Sequence, residues 1–235
     1  MERLSDQATP LPSGTVVAVR DARDGLEVLL LERAGQAGRT GPYPWVFPGG
    51  KVELPDRARG GDDPAAAARH AAVREAREEA GLVLEPERLV AISRWITPEI
   101  RARRFDTWFF LAAVPHDAPV RVDGGEIGGH RWLRPASALE AHASGEIQLA
   151  PPTFVTVTWL VEQPDCASAA RCLGEVELVT FRPRILPVEG GACILYPGDA
   201  GYETGVIEHG GPRHRLWSDG RSFRYERSAG ALRRR

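Results

Sequence analysis

The stretch Pro48–Leu82, PGGKVELPDRARGGDDPAAAARHAAVREAREEAGL, decides how the chain is read. Asp62-Asp63-Pro64 opens a helix: an aspartate side chain can accept from the free amides of a first turn, and proline lacks an N–H that would be unpaired there anyway. Alanines carry the helix to Ala80, and Gly81 supplies its stop. Just before that stop stand Glu75, Glu78 and Glu79, beside Arg74 and Arg77. At about 100° per residue the three glutamates share one face, with Val73, Ala76 and Ala80 on the adjoining apolar side. A solvated charged face pairs opposite signs at i, i+4, as Arg74 and Glu78 do. Glu75 and Glu79 place like charges at that spacing. Two carboxylates about 5–6 Å apart repel by roughly 3 kcal/mol at an effective dielectric near 20, and by less where water and salt reach them. A divalent cation between them turns repulsion into attraction, and hard oxygen ligands of this kind suit Mg²⁺ or Mn²⁺.

Outward from this helix the chain alternates strands with a few helices. TVVAVRDARDGLEVLLLERA predicts strands at Thr15–Arg20 and Leu26–Glu32 around the hairpin signal Asp24-Gly25. Trp45–Phe47 is a short apolar strand, followed by a turn at Pro48-Gly49-Gly50. Leu89–Ile96, Phe105–Val114 and Arg131–Leu133 read as strands, and Pro135–Ala143 as a short helix. Pro151 to Asp165 is ambiguous: its β-branched residues favour a strand, while Pro151-Pro152 can open a helix. Asp165 to Gly174 reads as a helix, and Glu175 to Tyr225 as short strands and turns. The order implies α+β or an α/β sandwich. We divide the chain into a core, 12–150, and a C-terminal extension, 151–235, which has too few apolar residues for a core of its own. Arg57 to Gly61, small, polar and turn-rich, is expected to be a mobile surface loop.

Composition sets the bounds. The 235 residues are 43% hydrophobic and 26% charged, an ordinary globular balance. The formal charge of −2 gives no electrostatic case for nucleic-acid binding. Cys166, Cys172 and Cys193 show no metal-type spacing and read as buried small hydrophobes in a reducing compartment. The six histidines show no ligand spacing either. Met1–Thr15 has no apolar run of signal-peptide type, and no segment reaches the roughly 20 apolar residues a membrane span needs. The expectation is a cytoplasmic protein without a membrane partner.

REAREEAGL, Arg74–Leu82, resembles the second half of the Nudix box, G-x5-E-x7-R-E-U-x-E-E-x-G-U, with Ala76 as a small U. The first half departs. The sixth residue from Gly50 is Asp56 rather than Glu, and Arg74 lies 24 residues beyond Gly50 where the pattern has 14, so about ten residues are inserted. The glutamate that braces the loop is either replaced by Asp56 or absent. The insertion resembles the branch of the Nudix superfamily that contains the mammalian peroxisomal coenzyme A diphosphatase. RWITP (Arg94–Pro98), RFDTWFF (Arg104–Phe110), HRWL (His130–Leu133), IQLAPPT (Ile147–Thr153), PGD (Pro197–Asp199) and RHR (Arg213–Arg215) resemble segments of that branch. LLLERAGQAGRTGPYPWVFPGG echoes a coenzyme A motif of another Nudix group only in part, through Arg33, Ala34 and FPGG.

The resemblance implies a Nudix-type α/β/α sandwich with a mixed sheet, and a helix at Pro152–Glu162. It implies a metal-dependent hydrolase of a nucleoside diphosphate linked to another moiety, with coenzyme A or acyl-CoA as substrate. NADH, ADP-ribose, a nucleotide sugar or a nucleoside triphosphate stay open, as does a non-catalytic ligand sensor. Glu75, Glu78 and Glu79 are implied as ligands of Mg²⁺ or Mn²⁺, and Glu126 as a further ligand or base, or else a solvated loop residue. Glu75 or Glu126 is the base. Arg74 is expected to orient a glutamate, and Gly49 and Gly50 to let the chain turn close to the metals. The partner is a nucleotide-containing small molecule, and by analogy with relatives a homodimer. A 3′-phosphate on the substrate's ribose needs cations of its own. Arg104, unless it pairs with Asp106, and Arg213 with Arg215 are the candidates, the last two because no acidic residue adjoins them in sequence.

Overall fold

The structure, a computed structural model, describes residues 9–34, 44–101, 103–175 and 177–228. The middle of the partial coenzyme A motif and the Arg233–Arg235 tail lie outside them. Strands β1 (Leu11–Ala22), β2 (Gly25–Arg33), β3 (Trp45–Val46) and β4 (Gly49–Lys51) precede helices α1 (Leu54–Gly60) and α2 (Pro64–Ala80). Strands β5 (Val90–Ile96), β6 (Phe105–Ala113) and β7 (Ile127–Leu133) follow, then helices α3 (Pro135–Ser144), α4 (Pro151–Leu160) and α5 (Cys166–Gly174). The chain ends in β8 (Val179–Phe181), β9 (Arg184–Val188), β10 (Gly191–Leu195), β11 (His214–Ser218) and β12 (Phe223–Arg227).

The main sheet runs β3-β2-β1-β6-β5-β8, with β4 on β1 and β7 on β2. It is mixed, since β1–β6 and β5–β8 are parallel while the other pairs are antiparallel. Alternation along β1 sends Val17 and Val19 to one face and Val16 and Ala18 to the other. The second face packs on α2 through Ala68, Ala72, Ala76 and Ala80. The first packs on residues of α3, α4 and α5, including Ala138, Val157 and Ala169. The result is the α/β/α sandwich that the resemblance implied. The alanine stripe lets α2 approach closely: a Cβ on Gly14 of β1 would lie 1.9 Å from the Ala68 carbonyl oxygen. The caps follow the sequence reading, with the Asp63 side chain accepting from the Ala65 amide at 2.9 Å and Gly81 left-handed at φ 69°.

Two local expectations are corrected, and the helix implied at Pro152–Glu162 is borne out. Arg57 to Gly61 is not a loop: Arg57–Gly60 forms the second half of α1, which packs on α2 so tightly that a Cβ on Gly60 would meet the Ala67 amide at 2.3 Å. The anchor is Asp56, fully buried and accepting from the Glu53 amide at 3.0 Å. Gly49–Lys51 is a strand rather than a turn, because the long β1 offers it an edge from Ser13 to Thr15. Pro151–Leu160 is a helix despite its β-branched residues. Seven of its ten residues are buried, so Val155, Thr156 and Val157 serve packing in the core, where tertiary contacts override propensity.

The extension is joined to the core in two ways. Its strand β8 completes the main sheet beside β5, and its antiparallel sheet β12-β11-β10-β9 shares the apolar cluster of α4 and α5 through Ile194, Tyr196 and Leu216. The Trp95 and Phe181 rings stack at 3.8 Å across the β5–β8 seam. Among the described residues no helix is long and apolar enough to cross a membrane.

Candidate active site

The end of α2 faces the turn between β3 and β4, and one guanidinium ties them together. Arg74 donates through Nη2 to Asp56 at 3.0 Å and to the Lys51 carbonyl at 2.9 Å, so loop and helix are clamped. Its Nη1 donates to Glu75 at 2.7 Å and to Glu78 at 3.0 Å. Asp56 therefore occupies the bracing position that the sequence left open. Burial works against the Arg74 cation, but the Asp56 and Glu75 bonds outweigh it and hold the guanidinium protonated.

Glu79 turns the other way. It is buried and accepts from the Gly49 amide at 2.9 Å. Gly50 is required here: a Cβ on it would lie 2.2 Å from Oε1 of Glu75, so that carboxylate rests directly over the β4 backbone. Glu126 belongs to the same cluster. Its charge acts on both Glu75 and Glu79. Asp123 shapes the loop that carries it, accepting from the amides of Gly125, Glu126 and Ile127 at 3.2, 3.1 and 2.8 Å.

Among the described residues no three acidic, histidine or cysteine side chains stand together as a ready ligand set. The geometry explains this: Arg74 draws Glu75 and Glu78 to itself, while Glu79 is held by Gly49. The cluster nevertheless fits a cation. Burial first, then the charges of Glu75 and Glu126, push the Glu79 carboxyl up to about 7, against the Gly49 bond and the more distant Arg33. Burial raises Glu75 as well, against the Arg74 bond. These carboxylates are short of positive charge, they offer only hard oxygen donors, and Glu78 is 57% exposed and able to turn.

The other candidates lie elsewhere. Arg215 is buried, and its guanidinium forms a two-pronged pair with Asp199 at 2.7 and 2.6 Å and donates to the Ile207 carbonyl. That removes it from phosphate reading, since its acidic partner is distant in sequence but adjacent in space. Arg213 donates to the His209 carbonyl at 2.5 Å in the same C-terminal unit. Arg104 does not pair with Asp106, which is held by Arg94; its Nε donates to the Thr97 carbonyl at 3.1 Å. Of the cysteines, Cys166 and Cys193 are buried thiols and Cys172 is half-buried.

Sequence reasoning missed the chamber beside the carboxylates. A cavity of about 490 Å³ begins at Gly49 and Arg33 and runs between the main sheet and the C-terminal sheet. Phe47, Trp95 and Phe109 wall it on one side, Ile194, Tyr196 and Phe223 on the other. These residues come from six separate segments, so no spacing in the sequence announced them.

Residues 10–152 match the NUDIX domain, and the chain belongs to that family. Its sequence is 38% identical over 115 residues to the human acyl-coenzyme A diphosphatase NUDT19, covering 47% of this chain and 31% of that protein. A *Caenorhabditis elegans* protein named putative nudix hydrolase 7 is 25% identical over 197 residues, 63% of this chain and 65% of its own length. The chain thus spans about a third of the NUDT19 protein it matches. Among solved structures, a NUDIX hydrolase from *Alicyclobacillus acidocaldarius* superposes with a TM-score of 0.62 at 25% identity, covering 70% of this chain and 96% of that one.

Proposed function

We propose that the chain is a metal-dependent Nudix hydrolase that cleaves the diphosphate of coenzyme A or an acyl-CoA, giving 3′,5′-ADP and the (acyl-)phosphopantetheine. The observation that carries this is the crowding of Glu75, Glu78, Glu79 and Glu126 beside the Gly49–Gly50 end of β4, at the mouth of a largely apolar chamber. The likeness to acyl-coenzyme A diphosphatases supports the substrate.

In this reading Glu75, Glu78 and Glu79, with Glu126, hold Mg²⁺ or Mn²⁺. Bound divalent metal supplies neutralisation of the diphosphate and acidification of a water. The protein's own residues do the rest. Arg74 fixes the carboxylates to the loop through Asp56 and Lys51, and is a positioning residue. Gly50 leaves room for the Glu75 carboxylate to lie over the backbone, and Gly49 lets β4 approach β1 closely. Glu75 or Glu126 takes the proton from the attacking water, and both face the cluster. The chamber walls exclude solvent beside the reacting group, where fixed charges act more strongly.

The test is a panel of CoA, acyl-CoA, NADH, ADP-ribose, a nucleotide sugar and a nucleoside triphosphate, each with Mg²⁺ and Mn²⁺, with products identified by mass. A melting curve with metal alone accompanies it: saturating Mg²⁺ or Mn²⁺, at about 100 times its Kd, is expected to stabilise the fold by about 2.7 kcal/mol. No turnover of any member, together with no metal-dependent shift, overturns the reading. Turnover of ADP-ribose or NADH in preference to CoA overturns the substrate.

A further inference from the structure

A second cavity, of about 460 Å³, opens on the far side of the apolar chamber and shares with it the walls Ile96–Pro98, Pro183 and Ile185. Its character is different. Arg104, Arg182 and Arg184 line it, against Glu99 and Glu203. Arg182 and Arg184 stand on either side of Pro183, and both line the cavity. The Arg184 Nη1 donates to the carbonyls of Tyr202 and Glu203, each at 2.7 Å. These neutral acceptors orient the guanidinium without cancelling its charge. Gly205 makes room for it, since a Cβ there would lie 2.6 Å from Nη2. Arg104 donates through Nε to the Thr97 carbonyl at 3.1 Å. The Tyr202 hydroxyl donates to the Arg182 carbonyl at 2.9 Å and fixes the floor between the two arginines.

The carboxylate cluster, an aromatic-walled chamber and an arginine cleft thus follow one another along a continuous path. We propose that the cleft of Arg104, Arg182 and Arg184 binds a phosphomonoester carried on the nucleoside half of the substrate, with the nucleoside in the chamber and the diphosphate at the carboxylates. The proposal rests on the hydrolase reading above and replaces Arg213 and Arg215 as readers of such a group. Guanidinium forks match phosphate oxygens in pairs, and a dianion at the cleft balances the excess of cations over carboxylates. Aromatic walls suit a base, which stacks on rings and tolerates few charged neighbours. Among the candidate substrates, coenzyme A carries this phosphate on its ribose, whereas NADH and ADP-ribose do not.

Two measurements test it. In the first, kcat/KM is compared for CoA and dephospho-CoA in wild type, Arg182→Ala and Arg104→Lys. Arg182→Ala is expected to lower the CoA-over-dephospho-CoA preference about tenfold, the scale of one charge-assisted hydrogen bond, mostly through KM. Arg104→Lys, which keeps the charge and loses the fork, is expected to lower it less. In the second, binding of 3′,5′-ADP and 5′-AMP is measured without turnover. Wild type is expected to favour 3′,5′-ADP, and Arg182→Ala to lose that margin. Equal loss on both substrates, or equal binding of both nucleotides by wild type, overturns the cleft assignment. The binding experiment needs no catalysis, so failure of the hydrolase reading and failure of the cleft are seen separately.

Discussion

Two arginine–aspartate pairs stand in opposite halves of this molecule, and only one borders the carboxylate cluster. Arg74 and Asp56 join α2 to α1; Arg215 and Asp199 join β11 to the turn after β10. Both aspartates are fully buried. The arginines differ. The side chain of Arg215 is 3% exposed, and its bonds go to Asp199 and a backbone carbonyl, so the pair is complete in itself. The side chain of Arg74 is 19% exposed and must serve Asp56, Glu75 and Glu78 at once. One cation shared among several carboxylates leaves charge to be met from outside. An ion pair alone, buried or not, says nothing about function; unmet charge around it does.

That contrast can be broken most forcefully at Asp199. Asp199→Ala leaves Arg215 buried and unpaired and is expected to cost about 3–5 kcal/mol of stability. Chemical denaturation would read this, with activity per folded molecule retained. A loss of turnover without loss of stability would instead move the C-terminal pair into the site.

The opposite outcome is expected at the other pair's neighbour. Glu78→Gln removes an exposed carboxylate, so the melting temperature should hold while turnover falls at least about 100-fold, roughly 2.7 kcal/mol of transition-state stabilisation. A variant that turns over at the wild-type rate sinks the metal assignment of Glu78.

The smallest of the three effects is in pH. His214 is buried next to Asp199, its Nδ1 within 2.7 Å of the Pro197 carbonyl, and burial lowers its pKa to about 4 despite that bond. The folded state resists protonation that the unfolded chain accepts near 6.5. Stability from this group is present above 6.5 and lost as pH falls toward 4. About 2 kcal/mol should go between pH 7 and pH 5. Denaturation curves of wild type and His214→Gln at the two pH values check this. An equal acid loss in the variant would assign the effect to other groups.

The sandwich and the carboxylate helix were legible because their signals are local. Asp63, the alanine stripe and Gly81 specify α2, and REAREEAGL identifies its chemistry. Asp56 could be placed by counting but not assigned a role, since its partner Arg74 is 18 residues away. Segments with weak or conflicting patterns were harder. α4 is buried nearly all round, so it shows no helical periodicity and only its prolines betray it. α1 is short and almost wholly exposed, held by the single buried Asp56, and its glycines and arginines look like a loop. The Arg215–Asp199 pair and the chamber depend on which strands meet, β10 with β11 and β8 with β5, and no spacing in the chain encodes that.

The parallel seating of β8 against β5 has a consequence for how the protein comes into being. During synthesis the carboxylate helix emerges early, while the edge of β5 waits for a strand that leaves the ribosome some eighty residues later. Until then the nascent chain carries its carboxylate cluster but lacks one wall of the chamber, and it exposes an unpaired edge of the kind that invites association. The same delay makes the final third of the chain a natural cassette. Exchanging it would redraw the chamber and the arginine cleft while leaving the carboxylate cluster as it is.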